Sequence, residues 1–336
     1  MQIKYHLRFS RAFVAKFTAA AVVFLLSFLI MPFYINGDQS LYRKVYETLP
    51  DFGLTEGFLF YSRSLGSQEF VHFFLSWVAS RFVDKDLFIA FSNAILAYVS
   101  MSLFRKWQAS VIMAFLLVLT NFYFLVIYFA AERLKFGFMF LALSLIYIDQ
   151  IKRFYGFAVL ALISHVQVLI VYGAILFNIF VRGILKLFRT GKVAKSWLLL
   201  FLVPFLFLPP LLLGGEFFLA KLVSYYSVRD FADLTELAKI LVFLLLALWY
   251  SKKKSETIIM FIPIVIAVFL IGGFRVNLFG YFFVLYYGLQ FRGGWNFGVL
   301  TTSVYFAYSS INFLVNVIQH GDGFFSGSLL VEKLKD

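Results

Sequence analysis

Long, uninterrupted apolar runs limit what this chain can fold into more than any other feature. They lie roughly over 17–35, 87–104, 110–129, 134–149, 154–164, 166–181, 197–213, 236–250, 256–272, 276–291 and 297–317, with short charged patches between them. Most are about as long as a helix needs to be to cross a hydrocarbon core ~30 Å thick. In lipid every backbone N–H and C=O must bond within its own segment or within a closed barrel. Barrel strands alternate apolar and polar residues, and these blocks do not. The sequence therefore predicts an all-α, polytopic integral membrane protein: one membrane domain over 1–336 with about 11 transmembrane helices, in a range of about 10–12. The two short blocks around His165 read as a hairpin of half-helices. The chain is only 14% charged, against about 25% in soluble domains.

The placement of charge sets an orientation. The net charge of +13 would point to nucleic acid only if the basic residues shared a soluble face. They stand between apolar blocks instead: Arg105-Lys106, Lys152-Arg153, Arg182 to Lys195, Lys252 to Lys254, and Arg292. By the positive-inside rule these ends are cytoplasmic. Lys4, Arg8 and Arg11 put the N-terminus on the same side, ahead of a first span that no A-x-A cleavage site follows. Loops at about 36–68 and 214–235 then fall outside, and 319–336 reads as a loose tail. The stretch "EFVHFFLSWVASRFV", near 70–83, is short for a crossing and reads as an interfacial or re-entrant helix. With no cysteine, disulfides and thiol chemistry are excluded. His6, His72, His165 and His320 show no metal-ligand spacing, so neither metal nor cofactor is expected.

The informative residues are those the positive-inside rule does not want. Arg43, Lys44, Arg63, Arg81, Arg133, Lys135, Lys221, Arg229 and Arg275 fall outside or within spans. Arginine is permanently charged and offers a planar fork of donors suited to phosphate oxygens. A phosphorylated, lipid-linked ligand is therefore expected at the outer face. In "YFAAERLKFGFMF", Glu132 and Lys135 are at i, i+3 and should pair at an outer turn, leaving Arg133 to point elsewhere. An ordinary hydrated turn is the competing reading. "LIGGFRVNLFGYFF" supplies Arg275, with Asn277 and Tyr281 after it, and "YYSVRDFADLTE" supplies Arg229. His165, in "ALISHVQVLIV", either bonds a neighbouring helix or takes a proton or a sugar hydroxyl. Asp38 and Tyr42, in "GDQSLYRKVYETLPDFG", combine a carboxylate with an aromatic ring, a pairing that suits sugars. Glu69 opens the short helix, where an acid also complements the helix dipole.

This pattern resembles the Wzy-type polysaccharide polymerases, in particular the EpsG-like subgroup of O-antigen, capsule and exopolysaccharide synthesis. The matching features are Asp38 and Tyr42 after the first span, and Glu69 at the head of the next helix, where the family often has Glu-Pro and this chain has Phe70. They continue with Arg133 followed four residues later by Gly137, then His165, then the late Arg275. Val166-Gln167 departs from the family's stretch after the histidine. The resemblance implies a bacterial inner-membrane glycosyltransferase whose site faces the periplasm. Its partners would be two undecaprenyl-pyrophosphate-linked oligosaccharides, membrane lipid and a chain-length regulator, with no nucleic acid. A hydroxyl of the acceptor repeat unit attacks the donor's anomeric carbon, and the lipid pyrophosphate leaves. Arg133, Arg275 and Arg229 are then expected to hold pyrophosphate. His165, Asp38 and Glu69 are the candidate bases, and Tyr42, Glu132, Asn277 and Tyr281 the sugar contacts. Competing readings are a flippase or transporter of lipid-linked oligosaccharide, an O-antigen ligase, and a membrane acyltransferase built on His165. Transporters often show repeated halves, and none is evident here.

Overall fold

The computed structural model describes residues 10–192, 234–271 and 273–325. Among the described residues the chain is helical, with no strand. Its helices are α1 (Arg11–Ile30), α2 (Asp38–Thr48), α3 (Leu54–Leu65), α4 (Phe70–Ala79), α5 (Lys85–Lys106), α6 (Val111–Thr120) and α7 (Phe122–Leu125). They continue with α8 (Glu132–Ile146), α9 (Ile151–Ser164), α10 (Leu169–Thr190), α11 (Leu234–Tyr250), α12 (Lys254–Ile271), α13 (Gly273–Leu289) and α14 (Phe297–His320). Among the described residues, four stretches are long and apolar enough to cross a membrane: Arg11–Phe33, Lys85–Lys106, Val166–Thr190 and Arg292–His320. The bent pair Val111–Thr120 and Phe122–Ala130 is apolar and long enough to be a fifth when taken together as one broken span.

The helix ends follow local chemistry. Asp84 caps α5 by accepting from Leu87 N at 2.8 Å, and Arg105-Lys106 complement its C-terminal dipole. Ser110 and Asn296 cap α6 and α14 in the same way. In the bundle, α1 lies along α5, α5 and α9 flank α8, α11 packs on α13, and α10 packs on α12. Phe17, Leu25, Val304 and Tyr308 point outward from α1 and α14, as a lipid-facing surface requires.

The stretch read as a polar outer loop is a folded helical cap. Helices α2 to α4 share an apolar cluster of Val45, Leu49, Tyr61 and Phe73, with Trp77 packed against it. Two arginines left unexplained by topology hold this cap together. Arg43 donates to the carbonyls of Tyr34 and Met31 and pairs with Asp86 at 2.7 Å. Arg81 donates to the carbonyls of Trp77 and Phe52 and stacks on the Trp77 ring. Nor is the tail loose from residue 319. Helix α14 runs to His320, and the Gly321 carbonyl accepts from the backbone N–H groups of Ile35 and Asn36. Asp322 accepts from the Tyr34 hydroxyl at 3.3 Å. The C-terminal ends of α1 and α14 therefore lie on one side.

Among the described residues, three interruptions break helices of the bundle. The block read as one span over 110–129 bends by 54° at Asn121, and Ser310 donates to the freed Thr120 carbonyl. Val126–Ala130 forms a π-helical turn directly before Glu132. Last, α9 stops at Ser164, and His165 adopts an extended backbone (φ −162°, ψ 121°) before a short 3-10 turn leads into α10. The break expected at His165 is present, but the two pieces are not a pair of half-helices, because α10 has 22 residues and belongs to a stretch long enough to cross a membrane.

Candidate functional site

Non-helical backbone at membrane depth is tolerated only where protein or a wet cavity satisfies its polar groups. The π-helical turn before α8 shows how this is done. The Phe129 carbonyl accepts from Gln39 Nε2 at 2.6 Å, and the Tyr128 carbonyl accepts from Asn93 Nδ2 at 3.0 Å. Gln39 comes from the cap and Asn93 from α5, so two elements fix the N-terminal end of α8 and the residues that begin it.

Arg133 lies in the first turn of that helix. Its Nε donates to the Tyr42 hydroxyl at 3.0 Å, and its Nη1 pairs with Glu69 Oε2 at 3.1 Å. The other Glu69 oxygen, Oε1, faces His165 Nε2 at 3.6 Å. Helix α4, which Glu69 precedes, packs on both α8 and α9 and so brings the carboxylate between them. His165 Nδ1 accepts from the Gln167 backbone N–H at 3.2 Å. That acceptor role places the neutral imidazole's proton on Nε2, facing Glu69. Four of the expected residues, Tyr42, Glu69, Arg133 and His165, thus form one constellation drawn from four separate segments. Burial pushes the Tyr42 phenol up to about 12, so it stays protonated. Its oxygen accepts from Arg133, which leaves the O–H able to donate.

Beneath the constellation is a buried ionic layer. Glu132 was expected to pair with Lys135 at a hydrated turn, or to meet a sugar. Neither holds, because its carboxylate is buried and pairs with Lys85 of α5 at 2.6 Å. Lys85 also donates to Gln39 Oε1 at 2.5 Å, and the buried Lys135 donates to Ser92 Oγ at 3.2 Å. The hydrated-turn reading of 132–135 falls with it, since Glu132 and Lys135 are 1% and 0% exposed. On the cap side, Tyr61 and His72 Nδ1 are 2.8 Å apart, and His72 Nε2 lies 3.8 Å from Glu132. Burial holds the His72 imidazole below its ordinary range. The site gathers three basic side chains, Arg133, Lys85 and Lys135, around the carboxylates Glu69 and Glu132. Arg133, its side chain 18% exposed, is the cation that reaches its surface. Guanidinium Nη2 has no protein partner among the described residues.

The remaining expected residues fall elsewhere. Asp38 is exposed in the first turn of α2 and forms no ion pair among the described residues. Asn277 donates to Glu236, which also pairs with Lys239, and Tyr281 shares a hydrogen bond of 3.2 Å with Thr302. Both are buried in the α11–α13–α14 half, and no contact among the described residues joins them to Arg133. The Arg275 side chain and all of Arg229 lie outside the described residues. Gln39, Tyr61, His72, Lys85, Ser92 and Asn93 belong to the site's supporting layer and were not singled out from sequence. Compared with protein-family models, curated proteins and solved structures, the chain matches none.

Proposed function

We propose that this chain is a bacterial inner-membrane polysaccharide polymerase, a glycosyltransferase working on the periplasmic side. It would move a growing glycan from undecaprenyl pyrophosphate onto the non-reducing end of a lipid-linked repeat unit. The observation that carries this reading is the Arg133–Glu69–His165 constellation beneath a helical cap. A permanent cation, a carboxylate and an imidazole meet there at the junction of cap and bundle. The leaving pyrophosphate gains negative charge as the glycosidic bond breaks. A guanidinium fixed in advance stabilises that state more than the ground state. The attacking hydroxyl must lose a proton to a base within hydrogen-bond reach.

The geometry favours Glu69 over Asp38 and His165 for that role. His165 Nδ1 is occupied by the Gln167 N–H, whereas Glu69 Oε1 has an imidazole N–H at 3.6 Å and the phosphate-binding candidate on its other oxygen. His165 then orients the carboxylate, and the Tyr42 hydroxyl is a donor for sugar or phosphate.

We read the topology as about eleven crossings, with 10–12 as the range, and the basic helix ends in the cytoplasm. An odd count agrees with the C-terminal ends of α1 and α14 meeting on one side.

The test is deletion of the gene from a strain carrying the matching sugar cluster, followed by a lipopolysaccharide gel. Core carrying a single repeat unit, with no ladder above it, is expected. Complete loss of repeat units would replace this reading with a flippase or a ligase, and an unchanged ladder would end it.

A further inference from the structure

At the other end of α8, roughly 18 Å along the helix from Arg133, the protein encloses a cavity of about 550 Å3. That size lies within the ~300–1,000 Å3 range of small-molecule sites, which are mostly apolar with a few placed polar groups. Its wall includes Trp107, Leu145, Val171, Met260, Phe282 and Tyr286. Trp107 packs edge-on against Phe282 and Tyr286, with ring centroids 4.8 and 5.3 Å away, so the aromatic side is fixed.

Two polar features interrupt this wall. Asn178 of α10 lines the cavity, is only 9% exposed, and its Oδ1 has no hydrogen-bond partner among the described residues. A buried amide left unpaired costs about 1–3 kcal/mol, so a ligand group meeting it is favoured. The second feature is the rim. Lys106 is paired with Asp149 at 2.9 Å and Lys253 with Glu256 at 3.2 Å. Lys252 lines the cavity, is exposed, and has no ion pair among the described residues. Asn178 is four residues before Arg182, which pairs with Glu256 at 3.0 Å, so the amide sits about one helical turn inside the rim.

The mouth distinguishes a lipid from a soluble anion. Ile148 and Phe291 line the cavity and are each 46% exposed. An apolar chain can enter past such a lip without leaving hydrocarbon, whereas a free anion gains nothing from it.

The geometry points to a binding site for a phosphate-bearing lipid at this end of the bundle. One chain lies against Trp107 and Phe282, the headgroup phosphate meets Lys252, and the glycerol region meets Asn178. An amide can present either its NH2 or its oxygen within the same volume, so it suits an ester carbonyl or a hydroxyl. Placing the site in the inner leaflet rests on the orientation proposed above; its chemistry does not.

The test uses the full chain purified in detergent and titrated with phosphatidylglycerol brominated on one acyl chain. Bromine quenches tryptophan on contact, and the difference between wild type and Trp107→Phe isolates Trp107. Saturable quenching of that signal is expected, weaker with brominated phosphatidylcholine and unaffected by inorganic phosphate. Lys252→Gln should weaken the anionic lipid about fivefold, the equivalent of ~1 kcal/mol per basic residue near a lipid surface. Equal quenching by both lipids, or none at Trp107, would overturn the proposal. Competition by inorganic phosphate would also overturn it, in favour of a soluble anion. None of these outcomes depends on polymerase activity.

Discussion

A Cβ on Gly137 would stand 2.7 Å from the Cβ of His165 and 3.3 Å from Val168 Cγ1. The first separation is shorter than side-chain carbons adopt, so the missing Cβ is what lets the break before α10 seat against α8. Gly137 lies one helical turn after Arg133, and this close approach holds the imidazole 3.6 Å from Glu69. Gly137→Ala should therefore push His165 away from the carboxylate. Overpacking of this kind costs about 1–3 kcal/mol, so the variant should still insert and fold. The glycan ladder should be lost or sharply shortened at normal protein level. A normal ladder from Gly137→Ala would show that the His165–Glu69 spacing does not matter.

Arg133 serves two partners at once, the Tyr42 hydroxyl through Nε and Glu69 through Nη1. Lysine keeps the charge and three N–H donors, but they sit on one compact nitrogen and lack the planar fork that reaches Tyr42 and Glu69 from separate nitrogens. Arg133→Lys should leave the protein in the membrane and cut polymer formation by about 10²–10³, the usual cost of one donor that stabilises transition-state charge. Activity in a membrane assay with lipid-linked repeat units measures this. Near-wild-type turnover would reduce Arg133 to a structural cation.

Much of this arrangement was legible in the sequence because hydrocarbon leaves a chain few choices. The apolar blocks around 87–104, 236–250 and 256–272 correspond to α5, α11 and α12 within a few residues. Alternating the spans places Tyr42, Glu69, Arg133 and His165 at one end, and the structure joins them. The partners inside the bundle were not legible. Glu132 and Lys135 invite pairing at i, i+3, but helix–helix contact gives Glu132 to Lys85, 47 residues away. Lys85 itself stands between Asp84 and Asp86, and nothing in that spacing points to Glu132. Asn277 and Tyr281 follow Arg275 closely in sequence, yet helical packing turns them toward Glu236 and Thr302.

The Lys85–Glu132 pair is buried on both sides, with side chains 5% and 2% exposed. Removing one partner leaves the other as an uncompensated buried charge, at a cost of about 3–5 kcal/mol. Lys85→Met should lower the thermal midpoint in detergent sharply. Lys85→Met combined with Glu132→Gln should recover part of the loss, because the Glu132 charge is then removed together with its partner's, while Lys135 stays buried against Ser92. If the double variant were as unstable as the sum of the singles, the two residues would not be acting as a pair.

His72 makes stability depend on pH. Its ring sits between the Tyr61 hydroxyl at 2.8 Å and Glu132 at 3.8 Å, and burial keeps its folded-state proton affinity below that of the unfolded chain. Above about pH 6.5, the ordinary histidine value, both states hold a neutral imidazole and this stability is fully present. As pH falls below that value the unfolded chain takes up a proton first. Stability then drops by up to about 1.4 kcal/mol per pH unit until the folded ring protonates too. The thermal midpoint should therefore fall between pH 7 and pH 5 (about two units around the unperturbed value) more steeply in wild type than in His72→Gln. Glutamine has no proton to take up in that window, and it keeps a polar group near Tyr61. Parallel profiles for the two proteins would mean that another group carries the acid sensitivity.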